Sequence, residues 1–113
     1  MIYKTLTQYA ALVMELKNKP HNLADLHLEL ASKYSMIADI MKDLLIEKAR
    51  FTNDTKFATE KPLSDKAVEA RWLLVEGGEK EIKLRYELKA LEKLCSACKS
   101  SNIMSNMEAR NEY

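Results

Sequence analysis

The sequence predicts an all-α protein, an antiparallel bundle of long helices with coiled-coil-like seams and a short C-terminal helix. Three observations support this fold class. Apolar residues recur at alternating steps of three and four over long stretches, which is the period of packed helices. Two glycines and two prolines in 113 residues are too few for the turns of a sheet protein. A hydrophobic fraction of 47% is enough for one modest core, so residues 1–113 are predicted to form a single helical domain.

Local signals divide the first half of the chain into two helices. The first is predicted over about residues 3–18 and the second over about 23–51. Pro20 separates them because it cannot continue a helix, and Asn22 is a favourable N-cap. The polar stretch from Thr52 to Pro62 has no helical period and is predicted to be a connector.

The second half begins with a specific helix start. Ser64 can cap a third helix over about 65–76, and Asp65 favours its positive end. Gly77 and Gly78 predict a kink or break, since two glycines weaken a helix by roughly 2 kcal/mol relative to alanines. A fourth helix is then expected over about 79–100. A short fifth is expected over about 105–111, where Ser105-x-x-Glu108 matches a capping box.

The two cysteines lie three residues apart, and their spacing admits three interpretations. Cys95 and Cys98 share the apolar stripe of the fourth helix, where cysteine packs as a small hydrophobic residue. A structural zinc site needs four ligands, and the other soft candidates, His21 and His27, are distant in sequence. A redox pair usually belongs to a βαβ setting, which the sequence does not predict. We favour packing, with metal binding and redox chemistry as the alternatives.

Composition and motifs argue against several function classes. Eighteen basic and seventeen acidic residues give no strong basic field of the kind that coats DNA. The sequence contains no glycine-rich phosphate loop, nucleophile elbow or HExxH helix, so we expect no enzyme activity, no cofactor and no metal. No apolar run approaches the roughly 18 residues of a membrane span. We expect no membrane association and a cytoplasmic location, in the host cytoplasm if the protein is viral.

The long second helix predicts homo-oligomerisation. Its apolar seam covers about thirty residues, more than a first helix of about sixteen residues can bury. The excess is expected to meet a second copy, most simply with two-fold symmetry. The predicted interface residues are Leu30, Tyr34, Ile37, Met41, Leu44, Leu88, Leu91 and Cys95.

Two clusters of basic residues predict a site for single-stranded nucleic acid, because cations neutralise phosphates and aromatic faces stack on bases. The first surrounds the end of the second helix, where the tip of Lys48 and the side chain of Arg50 are expected to face solvent. The second recurs every four residues on the fourth helix. The candidate residues are Lys48, Arg50, Phe51, Lys56, Phe57, Arg85, Lys89 and Lys93. Alternatively, Phe51 packs in the core, and the basic residues only form charged faces that contact solvent.

The segment "EKARF", Glu47 to Phe51, resembles a pattern in the UvsY-type recombination mediators of tailed phages, with Lys48 and Arg50 matching a Lys-x-Arg pair near the end of a long helix. The later "EIKLRYELKALEKLCSACKSSNI" is also similar to a long helix of that family. The resemblance covers about half of the chain, whereas the connector lacks the tyrosine-rich, glycine-containing character of the family. It implies a small helical protein that binds single-stranded DNA, forms ring-like homo-oligomers and helps a recombinase replace single-strand-binding protein.

Two functions therefore stand as predictions. One is a non-enzymatic phage-type mediator of recombination or replication, which binds single-stranded DNA together with a recombinase or single-strand-binding protein. The other is a protein-binding module without nucleic-acid affinity, such as a scaffold component or a phage inhibitor of a host protein.

Overall fold

The structure is a computed structural model that describes the backbone of residues 3–111 and the side chains of residues 3–100. Over this part of the chain there are four helices and no strand. In chain order they are α1 (Leu6–Glu15), α2 (Pro20–Lys56), α3 (Asp65–Leu73) and α4 (Glu76–Asn111). The prediction of an all-α, long-helix bundle is confirmed.

Helix α1 is shorter than predicted because capping interactions define its ends. The Gln8 backbone N–H donates to Thr5 Oγ1 at 3.2 Å, and the Thr5 N–H donates to Gln8 Oε1 at 2.9 Å. This reciprocal pair is a capping box, which satisfies two backbone donors that would otherwise lack partners. The helix therefore starts after Thr5, and it is capped at its other end by Leu16.

Helix α2 is longer than predicted at both ends. It begins at Pro20 rather than after Asn22, since a proline fits the first helical turn, where its missing N–H has no helical partner. It also continues past Phe51 to Lys56, whose carbonyl oxygen accepts the Leu63 N–H at 3.2 Å. The predicted connector is thus wrong over 52–56, and the chain between α2 and α3 is reduced to residues 57–64.

The second half of the chain differs most from the prediction. Helix α3 starts as expected, with Ser64 Oγ accepting the Ala67 N–H at 3.2 Å, but it ends at Leu73. Helix α4 begins at Glu76, so the chain turns before the two glycines. Its backbone then stays helical to Asn111, and the separate helix over 105–111 is wrong. The Ser105 side chain lies outside the described residues.

The glycines serve close packing rather than a helix break. Gly77 and Gly78 are both buried in the first turn of α4. A Cβ atom on Gly77 would overlap the Trp72 indole ring, and one on Gly78 would overlap the backbone of Trp72 and Leu73. Only a residue without a side chain lets α4 approach the end of α3 this closely. The predicted kink is therefore corrected to a tight junction between α3 and α4.

Contacts divide the chain into two compact units, each with its own core. Unit 1 comprises the residues up to Met36 and those from Glu87 onward, and unit 2 comprises Ile37–Tyr86. The buried apolar side chains of unit 1 are Tyr9, Val13, Leu23, Leu26, Leu30, Leu91 and Cys98. Those of unit 2 are Ile37, Met41, Leu44, Val68 and Trp72.

In unit 1, a buried lysine connects three helical segments. Lys33 on α2 donates to the Lys4 carbonyl oxygen at 3.0 Å and pairs with Glu87 on α4 at 3.3 Å. Its Nζ also lies 5.4 Å from the centroid of the Tyr9 ring, a cation–π distance. Lys4, which directly precedes the α1 cap, thus meets the α2 turn that contains Lys33, while α1 ends beside the start of α2. The two helices therefore run antiparallel.

The buried faces follow the predicted seams, with one shift in unit 1. His27 and Tyr34 follow the steps of three and four that define the α2 seam, yet they are half-buried, while Leu26 and Lys33 are buried. Lys33 contacts both the α1 region and α4, so the covered face of α2 is wider than a single seam. On α4 the stripe that ends at Cys98 is buried or half-buried as predicted.

Candidate functional site

A cluster of charged side chains lies at the centre of unit 2, where α2, α3 and α4 meet. Lys48 on α2 places its Nζ 2.9 Å from Glu81 Oε1 on α4 and 3.1 Å from Glu69 Oε1 on α3. The same Nζ lies 6.0 Å from the Trp72 ring centroid. Burial alone would lower the pKa of Lys48, but the two carboxylates outweigh it and raise the pKa. The ammonium therefore stays charged and is held within the protein.

Glu81 receives three donors, one from each helix of the unit. Besides Lys48, Trp72 Nε1–H donates to Glu81 Oε1 at 2.9 Å, and Arg85 Nε donates to Oε2 at 2.8 Å. Burial alone would raise the pKa of this carboxyl, but the hydrogen bonds from Lys48, Arg85 and Trp72 lower it to about 2. Because both oxygens have partners, Glu81 stays ionised although it is 7% exposed.

The local sequence explains how this cluster is assembled. Helix α3 places Trp72 over Phe51 of α2, with ring centroids 5.3 Å apart and planes at 57°. Gly77 and Gly78 then bring α4 against Trp72, so that Glu81 reaches the indole N–H one turn later. The sequence does not single out Glu81, since its i, i+4 spacing with Arg85 is the same as that of the exposed pair Glu79 and Lys83.

The first predicted nucleic-acid cluster is only partly available to a ligand. The prediction that the tip of Lys48 faces solvent is wrong, because Glu81 and Glu69 already bind it. The Phe51 ring is half-buried against Trp72 and does not offer a free stacking face.

The remaining members of this cluster are more accessible. Arg50 is exposed, and Phe57 is 62% exposed. Lys56 is half-buried and pairs with the exposed Asp65 at 3.4 Å. Of the first cluster, Arg50 and Phe57 therefore keep the exposure that the nucleic-acid hypothesis requires.

The second predicted cluster is exposed on α4. In unit 2, Arg85 pairs with Glu81, although its side chain remains 58% exposed. In unit 1, Lys89 and Lys93 lie one helical turn apart, and both are exposed. No carboxylate of residues 3–100 pairs with either of these two lysines, so they are accessible to an anionic partner.

The predicted oligomer interface is already covered within a single chain. Leu30, Ile37, Met41, Leu44 and Leu91 are at most 6% exposed. The other three predicted interface residues are half-buried: Tyr34, Leu88 and Cys95. These side chains form the cores of the two units and leave little surface for a second copy. For the five buried residues the predicted interface role is wrong, whereas for Tyr34, Leu88 and Cys95 it stays a prediction.

An open groove follows one flank of α2 in unit 2, and we call it the α2 groove. It has a volume of about 480 Å³. Its apolar lining comes from Leu45, Ala49 and Phe57, with Lys48 and Lys56 beside them. Its complete lining is Leu45, Lys48, Ala49, Thr52, Asn53, Lys56 and Phe57. The lining contains no carboxylate, and an extended apolar groove of this kind can receive a partner helix.

The cysteines lie in unit 1 as packing residues. Cys98 is buried and Cys95 half-buried, and both are free thiols. Burial raises the pKa of both, and the neighbouring Cys95 raises that of Cys98 further. A thiol is less reactive when its thiolate is disfavoured in this way. Among the described side chains, no group of three or more potential ligands could hold a metal ion.

The described helices also include none that is long and apolar enough to cross a membrane. Fold and site together define a small helical protein with a closed charged cluster and an open apolar groove in the same unit. Comparisons with known protein families, characterised proteins and solved structures find no match to this chain. The resemblance to UvsY-type mediators therefore stays a prediction.

Proposed function

We propose that this chain is a non-enzymatic accessory protein that acts by binding another protein, and that the partner places an amphipathic helix in the α2 groove. The α2 groove is the observation that supports this proposal. It is built on three turns of α2, and Glu69 and Glu81 fix Lys48 at its border, so this part of the binding surface is formed before a partner arrives.

The lining specifies the chemistry of the partner helix. Leu45 and Phe57, which are 40% and 62% exposed, need apolar side chains at the i, i+3, i+4 spacing of a helix face. Lys56 needs a carboxylate, because its only described acidic partner, Asp65, is itself 91% exposed and their contact is weak. We therefore expect a helix with an apolar face bordered by acidic residues.

The experiment compares variants of the groove with a matched variant on the same helix. Leu45→Glu and Phe57→Glu place charges in the groove, whereas Ile46→Glu places the same charge on α2 outside it, at a residue that is 48% exposed. Each tagged protein is used to capture partners from lysate of its native host, with and without nuclease treatment. Helicity is checked by circular dichroism.

We expect wild type and Ile46→Glu to retain one protein, and the groove variants to lose it by more than about tenfold. Partner capture that is unchanged by both groove variants would overturn the proposal. So would capture that disappears on nuclease treatment, since the nucleic acid would then be the ligand.

Exposed lysines on α4 favour a second candidate, the mediator that binds single-stranded DNA and a recombinase or single-strand-binding protein. Lys89 and Lys93 are the cations that best fit phosphate, because they are exposed and adjacent on one helix. Replacing both with alanine should lower the salt slope of oligonucleotide binding by roughly 1.4, from about 0.7 per single-strand contact.

The matched control for this experiment removes two lysines that are already paired. Lys80 and Lys83 lie on the same helix and form i, i+4 pairs with Glu76 and Glu79. Fluorescence titration with an unstructured oligonucleotide at several salt concentrations measures all three proteins. If wild type shows no salt-sensitive binding, or if both double variants behave alike, the second candidate fails.

A further inference from the structure

A second apolar surface lies on unit 2, on the side of α4 away from its buried cluster. It consists of Leu74, Val75, Ile82 and Tyr86, and we call it the outward stripe. These side chains are 86%, 39%, 46% and 73% exposed, in that order. Exposed apolar residues that lie together in this way form a patch of the kind that a partner can cover.

The spacing of the stripe is that of a helix–helix seam. Val75 directly precedes α4, and positions 79, 82 and 86 follow it at steps of four, three and four, so these three positions share one face of α4. Glu79 interrupts the apolar series. The face is held rigidly, because Gly77 and Gly78 seat the helix start against Trp72 and Glu81 is fixed by three donors.

Two opposite charges flank the stripe on α4. Glu76 lies in the first turn and Lys83 lies two turns later on the same flank, whereas Lys80, between them in sequence, lies further from the seam. A copy of the same helix laid antiparallel would place its Lys83 beside this Glu76. A parallel copy would instead place Glu79 against Glu79 in the middle of the seam, which is unfavourable for like charges.

The pairing can be formed without breaking strong interactions. Within one chain, Glu76 pairs with Lys80 at 3.5 Å and Glu79 pairs with Lys83 at 3.0 Å, and all four side chains are at least 61% exposed. Exposed pairs of this kind contribute little to stability. Glu76 can therefore exchange Lys80 for Lys83 of another copy, and that Lys83 can keep Glu79 of its own chain as a second partner.

We propose that the outward stripe binds a second copy of this chain in an antiparallel, two-fold arrangement. Val75 of each copy packs on Tyr86 of the other, with Ile82 against Glu79 between them. Glu76 of each copy meets Lys83 of the other. The exposed parts of the four residues amount to roughly 500 Å² per copy, so a pair would bury at most about 1,000 Å², near the lower limit for specific interfaces. The dimer is therefore reversible.

This surface differs from the seam residues that the sequence predicted as the interface. It also differs from the α2 groove, so the dimer and the partner helix are independent proposals. Failure of one leaves the other in place, since their test variants alter different residues.

The first test measures the mass of the full chain by sedimentation over a wide range of concentrations. Wild type should rise from 13.0 kDa toward twice that mass. Ile82→Glu and, separately, Tyr86→Lys should move the midpoint to a concentration more than about tenfold higher, because each places a charge in the seam. Ile46→Glu, at a similarly exposed isoleucine of α2, should leave the midpoint unchanged.

The second test determines the orientation by exchanging charges. Glu76→Lys and Lys83→Glu should each weaken self-association, since each places like charges together across the antiparallel pair. A mixture of the two variants should regain it, because the lysine introduced in one chain then meets the glutamate introduced in the other. Circular dichroism and thermal melting establish that every variant is folded.

Three results would overturn the proposal. The first is a mass of 13.0 kDa for wild type at all concentrations. The second is a dimer that well-folded Ile82→Glu and Tyr86→Lys leave intact, which would place the interface elsewhere. The third is a mixture of the two charge variants that associates no better than either alone, which would exclude the antiparallel arrangement.

Discussion

At the scale of single residues, Glu81 connects the three helices of unit 2, and we expect the stability of the unit to depend on it. Its carboxylate accepts hydrogen bonds from Lys48, Trp72 and Arg85, which belong to three different helices. A buried charge is tolerated when its attraction to partners and its hydrogen bonds outweigh the loss of water. Removing one partner is therefore more harmful than removing a surface charge.

Lys48→Met tests this dependence by removing the charge while keeping most of the stem. We expect the free energy of unfolding to fall by about 1–3 kcal/mol, since Glu81 keeps two donors but loses the more buried of its two cations. Urea unfolding followed by Trp72 fluorescence measures the change. Lys42→Met, at an exposed position of the same helix, should change stability by less than about 0.5 kcal/mol. Equal effects of the two substitutions would show that the cluster contributes nothing.

The same carboxylate predicts a pH dependence of stability. The pKa of Glu81 in the folded protein is lowered to about 2 from an ordinary value of 4.5. A lowered pKa stabilises the folded state above the unfolded-state pKa, and the stabilisation is lost as pH falls from about 4.5 toward 2. The difference corresponds to about 3 kcal/mol.

Acid titration of unfolding distinguishes this contribution from those of other carboxylates. Glu81→Gln should be less stable than wild type at neutral pH and should lose less stability between pH 4.5 and 2. Glu79→Gln, at an exposed residue, should follow the wild-type curve. An unchanged slope in Glu81→Gln would contradict the lowered pKa.

At the scale of helices, the junction of α3 and α4 is set by shape rather than by helix propensity. Alanine is a better helix former than glycine by about 1 kcal/mol, so a flexible break would gain stability from Gly77→Ala. In the structure, the added Cβ would overlap the Trp72 ring in a buried site. A gain in stability in Gly77→Ala would therefore indicate a flexible break, whereas a loss of stability would indicate a tight junction.

We expect Gly77→Ala to lower the melting temperature and to shift the Trp72 emission, because the indole has to move. Overpacking of this kind costs about 1–3 kcal/mol. Ser96→Ala serves as a control, since it introduces alanine at an exposed position within the same helix. A higher melting temperature for Gly77→Ala than for wild type would instead support the helix break that the sequence predicted.

At the scale of the whole molecule, burial determines which leucines are essential. Leu91 on α4 is 0% exposed and Leu28 on α2 is 70% exposed, and both belong to unit 1. Leu91→Ala should cost about 2–5 kcal/mol through lost burial and the cavity left behind. Leu28→Ala should cost less than about 0.5 kcal/mol. Similar losses in urea unfolding for both variants would contradict the core assignment.

Much of the architecture could be predicted from the sequence, because helix period and capping are local properties. The apolar steps of three and four identified the buried faces of α1, α2 and α4, and Ser64 marked the start of α3. The errors arose where a nonlocal contact decides a local outcome. Residues 52–56 look like a polar connector, yet they remain helical.

The site was less predictable, since a charge pattern does not show which charges meet. Lys48 could be recognised as a cation near a helix end, but no local pattern indicated that Glu81, on a different helix, would bind it. From the sequence, Phe51 was equally compatible with stacking on a base and with packing in the core. Its contact with Trp72 shows that it packs.

The sequence by itself determined the helical class, the main buried faces and the cap of α3, because each depends on residues within a few turns of one another. The tertiary structure alone decided the roles of Lys48, Phe51 and the two glycines. Each of these residues is defined by Trp72 or Glu81, which lie on other helices or across a turn. Periodicity records which side of a helix is covered, whereas only the packed chain shows what covers it and which apolar side chains remain open to a partner.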